Sequence, residues 1–305
     1  MTAPTARIAR GGELDAPTRE AVLALAAAAS RADGATALSE DAVLRLEPGR
    51  PGVHHLLARD GDVLVGYAQL AVAGDGFEGE LLVDPAHRRR GHGAALLAAT
   101  GELAAGRDVR LWSHGDTPGA AALAARRGWA RVRELLRLER RAEGLLDLPL
   151  PDLPGDVRVR PLVPGADDDA WVALNAAAFA THPEQGRWTV QDLRARYAED
   201  WFDPSLLLLA EAAGEPVGFC WMKVEGGAGE LYVLGVAPSR AGAGLGRALL
   251  VRGLRAVAGA LAPSATVDLY VDGDNVPAVR LYTRLGFGRA AVDVQYASPA
   301  PRTAP

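Results

Sequence analysis

The 305-residue sequence contains one cysteine, Cys220, and one lysine, Lys223. A single thiol excludes any intrachain disulfide, and Cys220 lies in the apolar run Val217 to Met222, where a free cysteine behaves as a small buried hydrophobe. No apolar run is long enough to span a bilayer, and the opening MTAPTARIARGGELDAP lacks the apolar stretch of a secretory signal. A cytoplasmic protein is therefore expected. The net charge is -5, with arginines scattered among acids, so neither nucleic acid nor a membrane surface is an expected partner. The histidines (His54, His55, His87, His92, His114, His182) show no metal-ligand spacing shared with cysteines, and no metal is expected. A G-x-G-x-x-G turn after the first strand is also missing, which argues against a doubly wound dinucleotide fold.

What is present is a globular composition, 49% apolar and 23% charged, in a chain long enough for two domains. Landmarks recur in the same order through both halves. Strand-like Val53–Arg59 and Asp62–Val72 are matched by Ser205–Ala212 and Pro216–Val224, each pair joined by a short glycine-containing turn that reads as a hairpin. A third strand follows (Phe77–Val83; Glu230–Val236), then a glycine-rich turn, an amphipathic helix, and a buried-looking strand (Val109–Trp112; Val267–Val271). A last helix ends at Arg127-Gly128-Trp129 and at Leu285-Gly286-Phe287, with glycine as the stop signal. This order predicts the α/β class, a mixed sheet flanked by helices in each of two tandem domains. The proline-rich GLLDLPLPDLPGD separates residues 1–143 from 157–297 as a linker over 144–156, and 298–305 reads as a disordered tail.

The two glycine turns, Arg88-Arg89-Arg90-Gly91-His92-Gly93 and Ala241-Gly242-Ala243-Gly244-Leu245-Gly246, carry the chemical signal. A strand–glycine turn–helix lets backbone N–H groups converge on an anion at a helix N-terminus, so a phosphate is the expected guest. A plain tight loop is the alternative reading. Upstream, Leu234-Gly235-Val236 offers a strand edge on which the amides of an extended ligand can pair.

The pattern V-x-P-x-x-R/Q-x-x-G-x-G/A, followed by D-N-x-x-A-x-x-L-Y-x-x-L-G-F, resembles the GNAT-type N-acetyltransferases. Across the whole chain, two such domains with GELYVLGVAPSRAGAGLGRALL and LYVDGDNVPAVRLYTRLGF in the second, together with AAAFATHPEQGRWT, are similar to the mycothiol synthase family. The resemblance implies acetyl-CoA as cosubstrate and acetylation of the cysteinyl amine of cysteinyl-glucosaminyl-inositol by a monomeric acyltransferase. It carries acyl-CoA contacts onto Leu81, Leu82, Val83, Arg88, Arg89, Arg90, Gly91, His92 and Gly93. In the second half it carries them onto Leu234, Gly235, Val236, Ala241, Gly242, Ala243, Gly244, Leu245, Gly246, Arg247, Asn275, Val276, Pro277, Ala278, Val279 and Arg280. Substrate positions fall on Glu40, Glu184, Lys223, Glu230 and Tyr270. One departure is Ala241, where the family usually has Gln or Arg; Arg240 or Arg247 is expected to compensate.

Amide formation from an amine and a thioester needs a neutral nucleophile and a proton for the departing thiolate. An α-amino group titrates at about 7.7–8.0, so modest base assistance suffices. Glu230, at the start of its strand, is the candidate base, directly or through a water, and the resemblance favours that role over a solvated acid. Tyr282, two helical turns beyond Asn275, is the candidate donor to the thiolate. Aligning Gly93 with Gly246 sets Phe77 opposite Glu230, and aligning Gly128 with Gly286 sets Ala124 opposite Tyr282. The first copy thus keeps the phosphate turn without the proton-transfer groups, although neighbouring Glu78 and Glu80 leave a substitute base open. Two other classes stay open: an acetyltransferase for a different amine, and a non-catalytic acetyl-CoA-binding module.

Overall fold

A computed structural model describes residues 7–180 and 185–299. Its described residues fall in two compact units, one within 1–136, 272–274 and 291–305, the other within 137–271 and 275–290. Unit 1 begins with β1 (Arg7–Gly11), α1 (Ala16–Asp33), α2 (Glu40–Leu44), β2 (Val53–Asp60), β3 (Val63–Ala73) and β4 (Gly76–Val83). Next come α3 (His92–Ala104), β5 (Val109–Ser113) and α4 (Pro118–Arg126), and then β6 (Ala130–Arg141), whose residues 137–141 belong to unit 2. Unit 2 continues with β7 (Arg158–Pro161), α5 (Asp168–Ala178), α6 (Val190–Tyr197), β8 (Leu207–Ala212), β9 (Glu215–Glu225) and β10 (Ala228–Val236). It ends with α7 (Leu245–Ala258), β11 (Thr266–Asp272) and α8 (Val276–Arg284), while residues 291–297 of β12 (Gly288–Ala297) return to unit 1.

Each unit holds the mixed sheet that the sequence predicts. The order in unit 1 is β1-β2-β3-β4-β5-β12 and in unit 2 β6-β11-β10-β9-β8-β7. The β4–β5 and β10–β11 pairs are parallel, because α3 and α7 cross over between them; the hairpin pairs are antiparallel. The hairpin β8–β9 turns through Ala213 and Gly214, both at positive φ, the geometry that matches the strands' twist. Strand β8 starts at Leu207 rather than Ser205, since Pro204–Leu206 makes one helical turn capped by Asp203, which accepts from the Ser205 N–H at 2.8 Å. Ser298 accepts from the Val109 N–H at 3.1 Å, and its own N–H donates to the Val109 carbonyl; residues 300–305 of the expected tail lie outside the described residues.

Burial explains the sheet assignments. Strands β3 and β9 are buried along most of their length on both faces, as central strands must be. A β-carbon on Gly66 would stand 2.9 Å from Leu96 of α3, and one on Gly218 would stand 2.9 Å from Leu249 of α7. The two glycines therefore admit the crossover helices in the same way and mark equivalent points of the two units. In unit 2, Trp171, Phe219, Trp221 and Val233 fill the core under α5 and α6. Cys220 and Met222 point to the other face, against Gly253 of α7. Among the described residues no helix is long and apolar enough to cross a membrane.

Candidate active site

In unit 2 the parallel strands part. β10 pairs with β11 only at Gly229–Leu231, opposite Val267–Leu269, while Val233–Val236 stay paired with Trp221–Gly218 of β9. The divergence starts at a β-bulge between Leu231 and Val233. Beyond the bulge, the edge of β10 facing away from β9, including Leu234-Gly235-Val236, is outside the β11 ladder. At the end of that edge lies the glycine turn. Gly242 and Gly244 take φ of 80° and 82°, a region costly for residues with a β-carbon, and Gly244 is the N-cap of α7 with no side-chain cap bond. The first N–H groups of this 14-residue helix are thus left for a guest. Ala241 is extended at φ -62°; Arg240 lies 4.0 Å from Asp156, and Arg247 is exposed on the first turn of α7.

Charged side chains cross one face of the sheet at the root of this opening. Lys223 of β9 is paired with Glu230 of β10, and Glu230 with Asp268 of β11. Asp268 in turn lies 3.3 Å from the guanidinium Nε of Arg137 on β6. Lys223 Nζ is bonded to Glu225 at 2.8 Å and stands 4.8 Å above the Trp201 ring. Burial lifts the Glu230 carboxyl above the usual range; Lys223 opposes the shift, and Asp268 and Glu225 add to it. Burial likewise lifts Asp268, against Arg137. Burial pulls the Lys223 ammonium down, but its bond to Glu225 and the charges of Glu230 and Glu225 outweigh that and hold it above its ordinary value. The bulge turns Tyr232 toward the same aromatic wall, 5.1 Å from Trp201 and 6.2 Å from Trp188, with Arg196 4.7 Å above Trp188 and donating to the Tyr232 hydroxyl.

Tyr282 approaches from elsewhere. It is the buried residue of α8, whose N-cap Asn275 accepts from the Ala278 N–H, and its ring lies edge-on to Phe287 at 6.1 Å. Burial, reinforced by the nearby Cys220, pushes its phenol above the ordinary range, so it stays protonated. Cys220 faces α7, whereas Lys223 and Glu230 lie on the aromatic face with Trp221. Tyr270, two residues after Asp268, is half exposed on the Asp268 face. Glu40 is exposed on the first turn of α2, in unit 1. Glu184 lies outside the described residues. Among the described residues no group of three or more His, Cys, Asp or Glu side chains is placed to hold a metal ion.

Unit 1 repeats the opening with different groups. β4 pairs with β5 through Phe77–Glu80, leaving Leu81–Val83 beyond the ladder, and Gly91 at φ 93° is the N-cap of α3. Counting from Gly66 and Gly218 along the ladders places Glu78, not Phe77, at the Glu230 position: Glu78 pairs with Ala71 and Arg110, as Glu230 pairs with Lys223 and Asp268. The alignment from the glycine turns misses by one residue because β10 contains the bulge and β4 does not. At the other position Ala124 stands as expected, since Trp129 N–H donates to its carbonyl as Phe287 N–H donates to that of Tyr282. The opening of unit 1 is a cavity of about 600 Å³ lined by Leu81–Val83, Arg88, Arg89, Gly91–Gly93 and Trp112–His114. Arg88, the counterpart of Ala241, is clasped bidentately by Asp33 at 2.6 and 2.8 Å. His92 is buried with no hydrogen-bond partner on Nε2, a polar atom suited to meet a guest there.

Sequence reasoning missed Asp268, Arg137 and the aromatic wall. The single acid in the otherwise apolar stretch TVDLYV was the available signal for Asp268; the pairing that gives it meaning is non-local.

The pattern of the Acetyltransferase (GNAT) family matches residues 22–129 and again 171–287. The chain is 70% identical to the mycothiol acetyltransferase of Kineococcus radiotolerans over 97% of its own length and 98% of that protein. It is 52% identical to the mycothiol acetyltransferase of Thermomonospora curvata over 93% and 95%. Among solved structures, a GCN5-related N-acetyltransferase from Sphaerobacter thermophilus superposes with a TM-score of 0.70 at 25% identity, covering 96% of this chain and 97% of that one. A tandem GNAT protein of the clavulanic acid biosynthesis pathway gives 0.67 at 21% identity, covering 98% and 99%, and shares the fold. With two matches to one acetyltransferase pattern and whole-length relatives at this identity, the chain belongs to the GNAT family and, within it, to the mycothiol acetyltransferases.

Proposed function

We propose that the enzyme transfers the acetyl group of acetyl-CoA to the cysteinyl amine of cysteinyl-glucosaminyl-inositol, giving mycothiol and CoA. The observation that carries the reading is the half-buried Glu230, its proton affinity raised, at the root of the β10–β11 opening that ends on the free amides of α7. The names of the whole-length relatives support the choice of acceptor.

In this reading the backbone N–H groups of residues 241–247 hold the pyrophosphate, assisted by the helix dipole. The pantetheine amides pair along Leu234–Val236, and Asn275–Arg280 of α8 border the other side. Glu230 takes a proton from the acceptor amine as its nitrogen bonds to the thioester carbon. As the C–S bond breaks, the Tyr282 hydroxyl donates to the sulfur, and solvent returns a proton to Tyr282 and removes the one on Glu230. A raised carboxyl suits a base working near neutral pH. Lys223 and Tyr270 are the acceptor-binding residues of this proposal in unit 2, and the protein acts as a monomer. Unit 1 holds acetyl-CoA structurally in its cavity without turning it over.

The test is acetyl transfer by the purified chain to cysteinyl-glucosaminyl-inositol beside a panel of polyamines, aminoglycosides and peptide N-termini, with products identified by mass spectrometry. Preference for the cysteinyl pseudodisaccharide is expected. Higher kcat/KM on any other amine overturns the acceptor, and absence of turnover on all of them overturns the enzyme.

A further inference from the structure

Glu230 is one member of a charge row that the ladders set across three strands, Lys223, Glu230 and Asp268, and Arg137 of β6 joins it through its ion pair with Asp268. Residues paired in adjacent strands share a face, with strand axes about 4.8 Å apart. Asp268 is therefore the carboxylate beside the candidate base. Asp268 makes its ion pair to Arg137, whose Nη2 also reaches Glu139 at 3.0 Å. Glu230 and Asp268 are thus two adjacent carboxylates, with Lys223 of β9 beside the first and the Arg137–Glu139 pair of β6 beside the second.

The same place in unit 1 is built with the opposite sign. Glu78 is paired with Arg110 where Glu230 is paired with Asp268, and with Ala71 where Glu230 is paired with Lys223. The copy that lacks the tyrosine has an arginine beside its glutamate, and the copy that has the tyrosine has an aspartate.

We infer that Asp268 is a positioning residue for the reaction, acting through Glu230: its charge presses on the neighbouring carboxylate, and Arg137 behind it limits that pressure. The inference rests on Glu230 being the base of the proposed reaction. A like charge at this separation favours the protonated form of its neighbour, and an opposite one favours the ionised form. The groups facing the pair are Lys223 and Glu225 from β9, Tyr232 from β10, Tyr270 from β11, and Arg137 and Glu139 from β6. In this inference the acidic limb of the rate profile belongs to both carboxylates.

The experiment is the pH profile of kcat/KM for Asp268→Asn and Arg137→Gln, with the Glu230 carboxyl titrated in parallel by carbon-13 NMR of glutamate-labelled full-length protein. Asp268→Asn is expected to move the acidic limb and the Glu230 titration to lower pH, on the order of half to one unit. Arg137→Gln is expected to move both to higher pH. A structural role for the pair predicts loss of stability without opposed shifts, so thermal melts accompany the profiles. Unmoved titrations, or shifts in the same direction in both variants, overturn the inference. If no amine is acetylated, the proposed function fails, and the carboxyl titration still decides whether Asp268 acts on Glu230.

Discussion

The indole N–H of Trp112 donates to the Glu78 carboxylate at 2.6 Å, at the position that Glu230 holds in unit 2. The first copy therefore retains the glutamate and occupies it. One oxygen of that carboxylate is engaged by the indole, and its cross-strand neighbour on β5 is Arg110, where Glu230 has Asp268. Glu78→Gln is expected to leave acetyl transfer within about twofold of the parent, since a glutamine oxygen still accepts from Trp112. Glu230→Gln is expected to lower kcat by about 10²–10⁴-fold, the usual worth of a positioned base. Steady-state kinetics of the two variants decides it; equal losses in both would make the copies catalytically equivalent.

How much of this was legible beforehand depends on range. The hairpins, the glycine turns and the helix from Asn275 to Leu285 follow from spacing and caps that act over a few residues. The bulge between Leu231 and Val233 does not, because it is defined by the partner strand; missing it moved the expected counterpart of Glu230 from Glu78 to Phe77. The return of residues 291–297 to the sheet of unit 1, and of 137–141 to that of unit 2, is likewise a pairing choice that local pattern does not encode. Asp293 shows the consequence: it lies beside His114, far away in the sequence.

Tyr282→Phe keeps the ring that packs on Phe287 and removes only the hydroxyl. Since the phenol is held neutral by burial, its contribution is a hydrogen-bonded proton for the leaving sulfur. The expected result is a fall in kcat of about 10²–10³-fold with KM for acetyl-CoA changed little, the pattern of an interaction made only in the transition state. An acyl donor with a more acidic leaving thiol is expected to recover part of the loss. A variant with unchanged kcat would remove Tyr282 from the mechanism.

His114 lies between Glu80 and Asp293, with its Nε2 3.2 Å from the first and its Nδ1 2.9 Å from the second. Burial alone would lower its pKa, but the bonds and charges of the two acids reverse that and raise it to about 9. A group protonated more tightly in the folded than in the unfolded chain stabilises the fold fully below the unfolded pKa of about 6.5 and loses that contribution as pH rises through 9. Unit 1 is therefore expected to lose on the order of 2 kcal/mol between pH 6.5 and 9.5 from this group. Glu80 also accepts from the Ser39 N–H at 2.9 Å, so loss of the charge loosens the start of α2, next to Glu40. Denaturant midpoints across this range should fall in the parent and stay flatter in His114→Gln; parallel slopes would show that another group carries the dependence.

Cys220 is fully buried, with its Sγ 3.8 Å from the Met222 sulfur and pressed toward Gly253 of α7, and burial pushes its thiol up to about 12. Nucleophilic attack on a disulfide reagent needs the thiolate and access to it, and the folded protein offers neither. No labelling by an aromatic disulfide is expected over the course of an assay in buffer, and one equivalent is expected in guanidinium chloride. The slow native reaction should run at the rate of global or sub-global opening, because the residue lies on a central strand where local fluctuations do not expose it. The consequence is practical as well as structural. CoA released on acceptor amines that carry no thiol can be followed with the same reagent, since the folded enzyme adds no thiol of its own. Rapid labelling of the folded chain, with activity retained, would place Cys220 at the surface and contradict the packing of β9 against α7.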